Sequence, residues 1–141
     1  MRLLREGERA PAWSLPDATG TPRADQPGWR LWVFAPNTAG AEDYLAALSE
    51  RAAAFGREGA CVALFSPVPL QVPGATVLVD RSLGQFRAAG ALRERPTGGP
   101  LGLWGLLLVN PEGRVRMSEE GRPSIDAALR TLQALRATVR T

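Results

Sequence analysis

The sequence predicts an α/β fold: a central mixed sheet flanked by helices, with an N-terminal β-hairpin. Three patterns predict it. Residues 30–34 (RLWVF) and 61–65 (CVALF) are short runs apolar on both faces, as strands covered on both sides must be. The segment between them, 39–57, repeats apolar residues at helical spacing, so strand, helix and strand form a right-handed βαβ unit. A turn-and-strand pattern followed by a second amphipathic stripe closes the chain.

Each element has a local cause. Residues 12–15 alternate, with Trp13 and Leu15 on one side, and 17–20 (DATG) supply turn chemistry before a return at 21–23. In the first helix Tyr44, Leu48, Ala52 and Phe55 form the apolar stripe, Asn37 or Thr38 is the expected cap, and Glu42 and Asp43 favour the dipole. Residues 66–74 (SPVPLQVPG) hold three prolines and cannot carry a crossover helix, so an extended loop or an antiparallel return is expected. A strand at 76–79 follows, then a helix through Leu83, Phe86 and Ala89 capped by Asp80 or Ser82. Residues 93–100 (RERPTGGP) read as a loop and 103–109 as a buried strand. A type I turn at 110–113 (NPEG) leads into the alternating strand 114–118. Pro123 suits the first position of a last helix whose stripe is Ile125, Ala128, Leu129, Leu132, Leu135 and Val139, with Arg136 and Arg140 at its end. No repeat or linker divides the chain, so residues 1–141 read as one domain.

Composition removes most chemistries. The 141 residues contain no histidine, which excludes imidazole bases and the commonest zinc ligand. All 17 basic residues are arginine, so lysine chemistry is excluded as well. Cys61 is the single cysteine, and no intramolecular disulfide, redox pair or thiolate metal cluster can form. No cofactor and no metal are expected. The net charge is +3, with eight arginines against five acids in residues 91–141. That excess is too small to argue for nucleic acid. Charges at Arg2, Arg5, Glu6 and Glu8 break any signal-like apolar run, and no stretch is long enough to span a membrane, so a cytoplasmic protein is expected.

The order βαβ, hairpin, terminal helix is that of a thioredoxin-like fold, and the residues narrow it. Residues 7–17 (GERAPAWSLPD), closed by Gly20, resemble the opening of peroxiredoxins, the alkyl hydroperoxide reductase and thiol-specific antioxidant family. Matches follow in order at 33–36 (VFAP), 62–67 (VALFSP), 77–80 (VLVD) and 107–113 (LLVNPEG), so the resemblance covers nearly the whole chain. It implies a reactive cysteine at the start of the first helix, in a Pro-x-x-x-Thr-x-x-Cys pattern, activated by the helix dipole and an arginine. Aligned on Thr38, with Gly40 beside it, the cysteine position holds Ala41, and the loop is two residues shorter than the family pattern. The arginine position falls near Trp104. The vestigial site is therefore Thr38, Gly40, Ala41 and Trp104, with no catalytic residue, and Trp104 is expected to fill the vacated space.

Other candidates are weaker. Cys61 reads as a small buried hydrophobe one residue into a strand, and as the alternative nucleophile if any thiol chemistry survives. Arg93 and Arg95, beside Gly98 and Gly99, could form an anion site with the first helix's amides. Trp13, Trp29 and Trp32 read as core, and Glu42 and Asp43 as dipole partners rather than acids or bases. The expected function is a binding or interaction module with a protein or small-molecule partner; a homodimer is compatible with the resemblance. A thiol-dependent peroxidase using Cys61 is the alternative.

Overall fold

The computed structural model describes residues 2–139. A two-stranded antiparallel hairpin, β1 (Ser14–Pro16) and β2 (Pro22–Ala24), comes first, as the DATG turn requires. Then follow β3 (Trp29–Phe34), α1 (Glu42–Arg57), β4 (Ala60–Ser66), β5 (Thr76–Val79), α2 (Gly84–Ala89), β6 (Leu92–Arg93), β7 (Leu101–Gly102), β8 (Gly105–Val109), β9 (Val115–Glu120) and α3 (Ile125–Val139). The main sheet runs β5-β4-β3-β8-β9. Strands β3, β4 and β5 are parallel, while β8 and β9 are antiparallel to their neighbours. This is a mixed sheet, as expected.

Its two faces explain the doubly apolar strands. Leu31, Val33, Val62, Leu64, Leu106 and Leu108 point to one face, packing with Leu48 and Phe55 of α1 and Ala128 and Leu132 of α3. Trp32, Phe34, Ala63, Phe65, Leu107 and Val109 point to the other, covered by Phe86 and Ala89 of α2 and by Leu3, Ala10 and Trp13 of the N-terminal segment. The alternating period of a strand thus feeds two cores from one run of residues.

Several details differ from the sequence reading. Helix α1 starts at Glu42, not near residue 39, because its cap is Ala41, which has no side-chain bond to offer; Asn37 and Thr38 lie in the preceding loop. Its C-terminal end is closed by α3 instead: the Arg136 guanidinium donates to the Glu58 carbonyl. A Cβ on Gly59 would lie 2.6 Å from Arg136 Nη1, and its φ of +79° also demands glycine. The proline loop leads to a parallel β5, since the chain returns along the outside of the sheet without a helix; Val72 is buried and Ser49 Oγ donates to the Pro73 carbonyl at 2.8 Å. The loop expected at 93–100 is flanked by a short β6–β7 pairing that takes in Arg93, and the buried strand expected at 103–109 begins only at Gly105. Pro123 precedes the last helix rather than starting it: Ser124 Oγ accepts from the Ala127 amide at 3.1 Å and takes the capping role. Arg140 and the Val139 side chain lie outside the described residues.

The second helix starts one residue later than expected, at Gly84, and its cap is Leu83 rather than Asp80 or Ser82. Leu83, its cap, has φ +61°, which a leucine adopts at a cost of roughly 1–2 kcal/mol. The nearly buried Asp80 compensates: its carboxylate accepts from the amides of Gly84, Gln85 and Phe86 at 3.1, 2.8 and 3.1 Å.

Candidate functional site

Strand β3 ends at Phe34 and the chain turns through Pro36 to the start of α1, where the Ala41 amide donates to the Thr38 carbonyl at 3.1 Å. Thr38 and Gly40 are exposed, but Ala41 is completely buried. One turn into the helix, Tyr44 meets Trp104 edge to face, ring centroids 5.7 Å apart. The Arg122 guanidinium lies over the same indole, 5.2 Å from its centroid, and donates to the Gly40 carbonyl at 2.9 Å. The Gly121 amide bonds the Trp104 carbonyl at 2.9 Å, fixing the loop after β9 to the start of β8. Thr38, Gly40, Ala41 and Trp104 therefore belong to one corner, and Tyr44 and Arg122 complete it.

This corner is apolar where the α1 start faces inward. The alanine methyl carries no nucleophile or proton-transfer group. The Tyr44 hydroxyl is buried without a hydrogen-bond partner, and burial pushes the phenol above its ordinary value against the opposing pull of Arg122. A groove of about 440 Å³ runs from Gly40 and Tyr44 between the first halves of α1 and α3, past Arg122 and Ser124. Its far side carries the Arg51–Asp126 pair at 2.5 Å, which holds the Asp126 carboxyl below its usual range.

Arg93 and Arg95 are exposed in the loop beside this end of the sheet. Arg95 donates to the carbonyls of Gly99 and Gly98 at 2.8 and 2.9 Å, so its guanidinium braces its own loop. A Cβ on Gly102 would come within 3.0 Å of Pro36, so β7 sits directly against the loop leading to Thr38.

Cys61 contradicts its sequence reading: it is exposed. Its strand is buried from Val62 onward, but β5 begins opposite Ala63, so the first residues of β4 extend past their neighbour. The thiol is also at the wrong end of the sheet to replace Ala41. It pairs with Arg30 at the start of β3, four residues before the Phe34–Phe65 pair, a separation of roughly 13 Å at the usual strand rise.

At that end Arg30, nearly buried, donates to Asp25 Oδ2 at 2.8 Å, the Gly28 carbonyl at 3.0 Å and the Asn110 carbonyl at 2.9 Å. Desolvation raises the Asp25 carboxyl above its ordinary value, opposed by Arg30. Sequence reasoning missed Tyr44 and Arg122 as site residues, and the Asp25–Arg30 pair. An arginine inside an otherwise apolar strand was the available signal for the pair. Arg122, next to a turn glycine, gave none.

No family model matches the sequence, and no curated protein matches it significantly. Solved structures do. The fold matches peroxidoxin BcpB from Mycobacterium tuberculosis with a TM-score of 0.80 at 21% identity, covering 93% of this chain and 97% of that one. Mycobacterium bovis AhpC matches with a TM-score of 0.79 at 21% identity, covering 98% and 96%. Xanthomonas campestris peroxiredoxin Q matches with a TM-score of 0.75 at 19% identity, covering 94% and 97%. With the mixed five-stranded sheet, its flanking helices and the N-terminal hairpin all in place over nearly full length, this chain has the peroxiredoxin-like form of the thioredoxin fold.

Proposed function

We propose that this protein is a peroxiredoxin-like domain without the peroxidatic cysteine, acting as a non-catalytic binding or interaction module in the cytoplasm. One observation carries the reading: the residue at the α1 start, where the resemblance puts the nucleophile, is a fully buried alanine, next to Gly40, whose carbonyl is held by the Arg122 that lies over Trp104. The groove between α1 and α3 is the surface this reading assigns to a partner, with the unpaired Tyr44 hydroxyl at its inner wall. A second copy of the chain is one such partner, and the Arg93–Arg95 loop is an accessory contact for an anionic group.

A specific observation favours a second reading. Cys61 is exposed, so a thiol-dependent peroxidase using it as an atypical nucleophile has the access such a reaction requires. One experiment separates the two. Purified protein is given hydrogen peroxide or a small alkyl hydroperoxide with dithiothreitol as reductant, alongside Cys61→Ser. The binding-module reading expects consumption at the buffer rate for both proteins. Turnover lost in Cys61→Ser establishes the second reading, and turnover retained in it refutes both.

A further inference from the structure

The central sheet has two edges, β5 and β9, and the chain covers them unequally. At the β5 edge the N-terminal hairpin folds over, with Asp17 bridging Leu78. At the β9 edge the N-terminal segment takes only the first residues: the Gly7 amide donates to the Val115 carbonyl at 2.8 Å, the Val115 amide donates to the Glu8 carbonyl at 2.9 Å, and Arg9 bridges Arg114. There the segment turns away. The Glu8 amide closes on the Arg5 carbonyl at 3.1 Å, and Leu4 lies on the face of the sheet that α2 covers, its amide donating to the Ala89 carbonyl at 3.0 Å and its carbonyl accepting from Ser118 Oγ. Beyond Val115 no described residue bonds the outer backbone of β9.

The alternation of an antiparallel strand says which groups are left. The Gly121 amide donates inward to the Trp104 carbonyl at 2.9 Å, so Glu119 and Met117 also bond inward to β8, while Ser118 and Glu120 turn their N–H and C=O groups outward. Glu119 and Glu120 are exposed, and Arg116, Met117 and Ser118 are half-buried. Such an edge is a template for one more strand. The side chains set its character. Arg116, Ser118 and Glu120 share one face, Met117 and Glu119 the other, and none of the three charged groups makes an ion pair among the described residues. A second copy paired about Ser118 would match Glu120 with Arg116 but set each Glu119 against Met117. A segment with two adjacent basic residues and an acid three positions after them matches all three charges.

We propose that the free part of the β9 edge takes up an extended segment of another protein, antiparallel to β9, with two basic residues facing Glu119 and Glu120, an apolar residue facing Met117 and an acid facing Arg116. Main-chain bonds to Ser118 and Glu120 hold the segment, and the charges select it. This surface shares no residue with the groove between α1 and α3, and the inference does not rest on the function proposed above.

The probe is the capped peptide Thr-Arg-Arg-Ser-Leu-Glu-Thr carrying a fluorophore, with Thr-Glu-Glu-Ser-Leu-Arg-Thr as its charge-exchanged counterpart. Binding to the full chain is followed by fluorescence anisotropy, and exchange of the Ser118 and Glu120 amide hydrogens by nuclear magnetic resonance. The expected result is saturable binding of the first peptide, slowed exchange at Ser118 and Glu120 but not at surface amides elsewhere, and binding of the second weaker by about tenfold. Glu120→Pro deletes one outward N–H and no bond to β8, so the fold should persist while affinity falls by about tenfold. Replacing Glu119 and Glu120 together by arginine keeps the backbone intact and should exchange the preference between the two peptides. Unslowed exchange at saturating peptide overturns the proposal, and so does equal affinity for both peptides. A dimer in analytical ultracentrifugation that protects the same two amides without any peptide overturns it too, because the occupant would then be a second copy.

Discussion

Asp80 shows how much one side chain can fix. It accepts three helix amides and makes a left-handed Leu83 tolerable, so Asp80→Ala should lower stability by roughly 1–3 kcal/mol, measured by denaturant unfolding. The sequence made this residue legible, because an acid just before a helical stripe has a known local use. Cys61 was not legible. A cysteine inside an apolar run reads as buried, and its exposure depends on where β5 begins, a property of a strand that starts at Thr76. Native protein should therefore react with a thiol reagent without unfolding, and Cys61→Ser should shift stability by no more than about 0.5 kcal/mol. A chemical denaturation curve and a labelling time course check the two halves of this prediction.

At the scale of elements, the N-terminal hairpin and the start of α1 make opposite use of charge. The Asp17 carboxylate accepts from Thr19 Oγ1 at 2.7 Å, pairs with Arg23 at 2.9 Å and takes the Thr19 and Thr21 amides, which together hold its pKa well below the ordinary value. A depressed folded pKa adds stability above the unfolded pKa, and that stability is lost as pH falls through the folded one. Asp17→Asn should consequently unfold at lower denaturant than the native chain at neutral pH, with the gap narrowing below about pH 4. Helix α1 instead begins at a residue that bonds nothing with its side chain, and the acids Glu42 and Asp43 offset only part of the missing cap. At the start of α1, Ala41 is wholly buried. Ala41→Cys should yield a thiol labelled only on unfolding and no peroxide turnover, because the site is enclosed before any sulfur is placed there. That Thr38, Gly40, Ala41 and Trp104 lie in one corner was readable from motif order. The lid was not, since Tyr44 and Arg122 lie 60 and 18 residues from Trp104 and meet it only through the fold.

Across the whole molecule, the sheet was the easiest part to foresee, because strands covered on both faces must be apolar at nearly every position, as β8 is throughout and β3 is apart from Arg30. The short β6–β7 pairing was hidden by the prolines and glycines around it, and the direction of β5 cannot be read from a loop's composition. That loop has a practical consequence. From Pro67 to Gln71 the backbone runs outside the sheet with Val68 half exposed; Ser66 Oγ bonds the Val68 backbone, Leu70 packs in part against the core, and Val72 and Pro73 moor the chain beyond it. A guest sequence spliced after Pro69 would hang from two parallel neighbours already zipped to each other, lengthening a tether whose closure entropy grows only with the logarithm of its length. The protein should thus accept a reporter peptide there and keep its melting temperature within a few degrees, offering a handle remote from both ends of the chain.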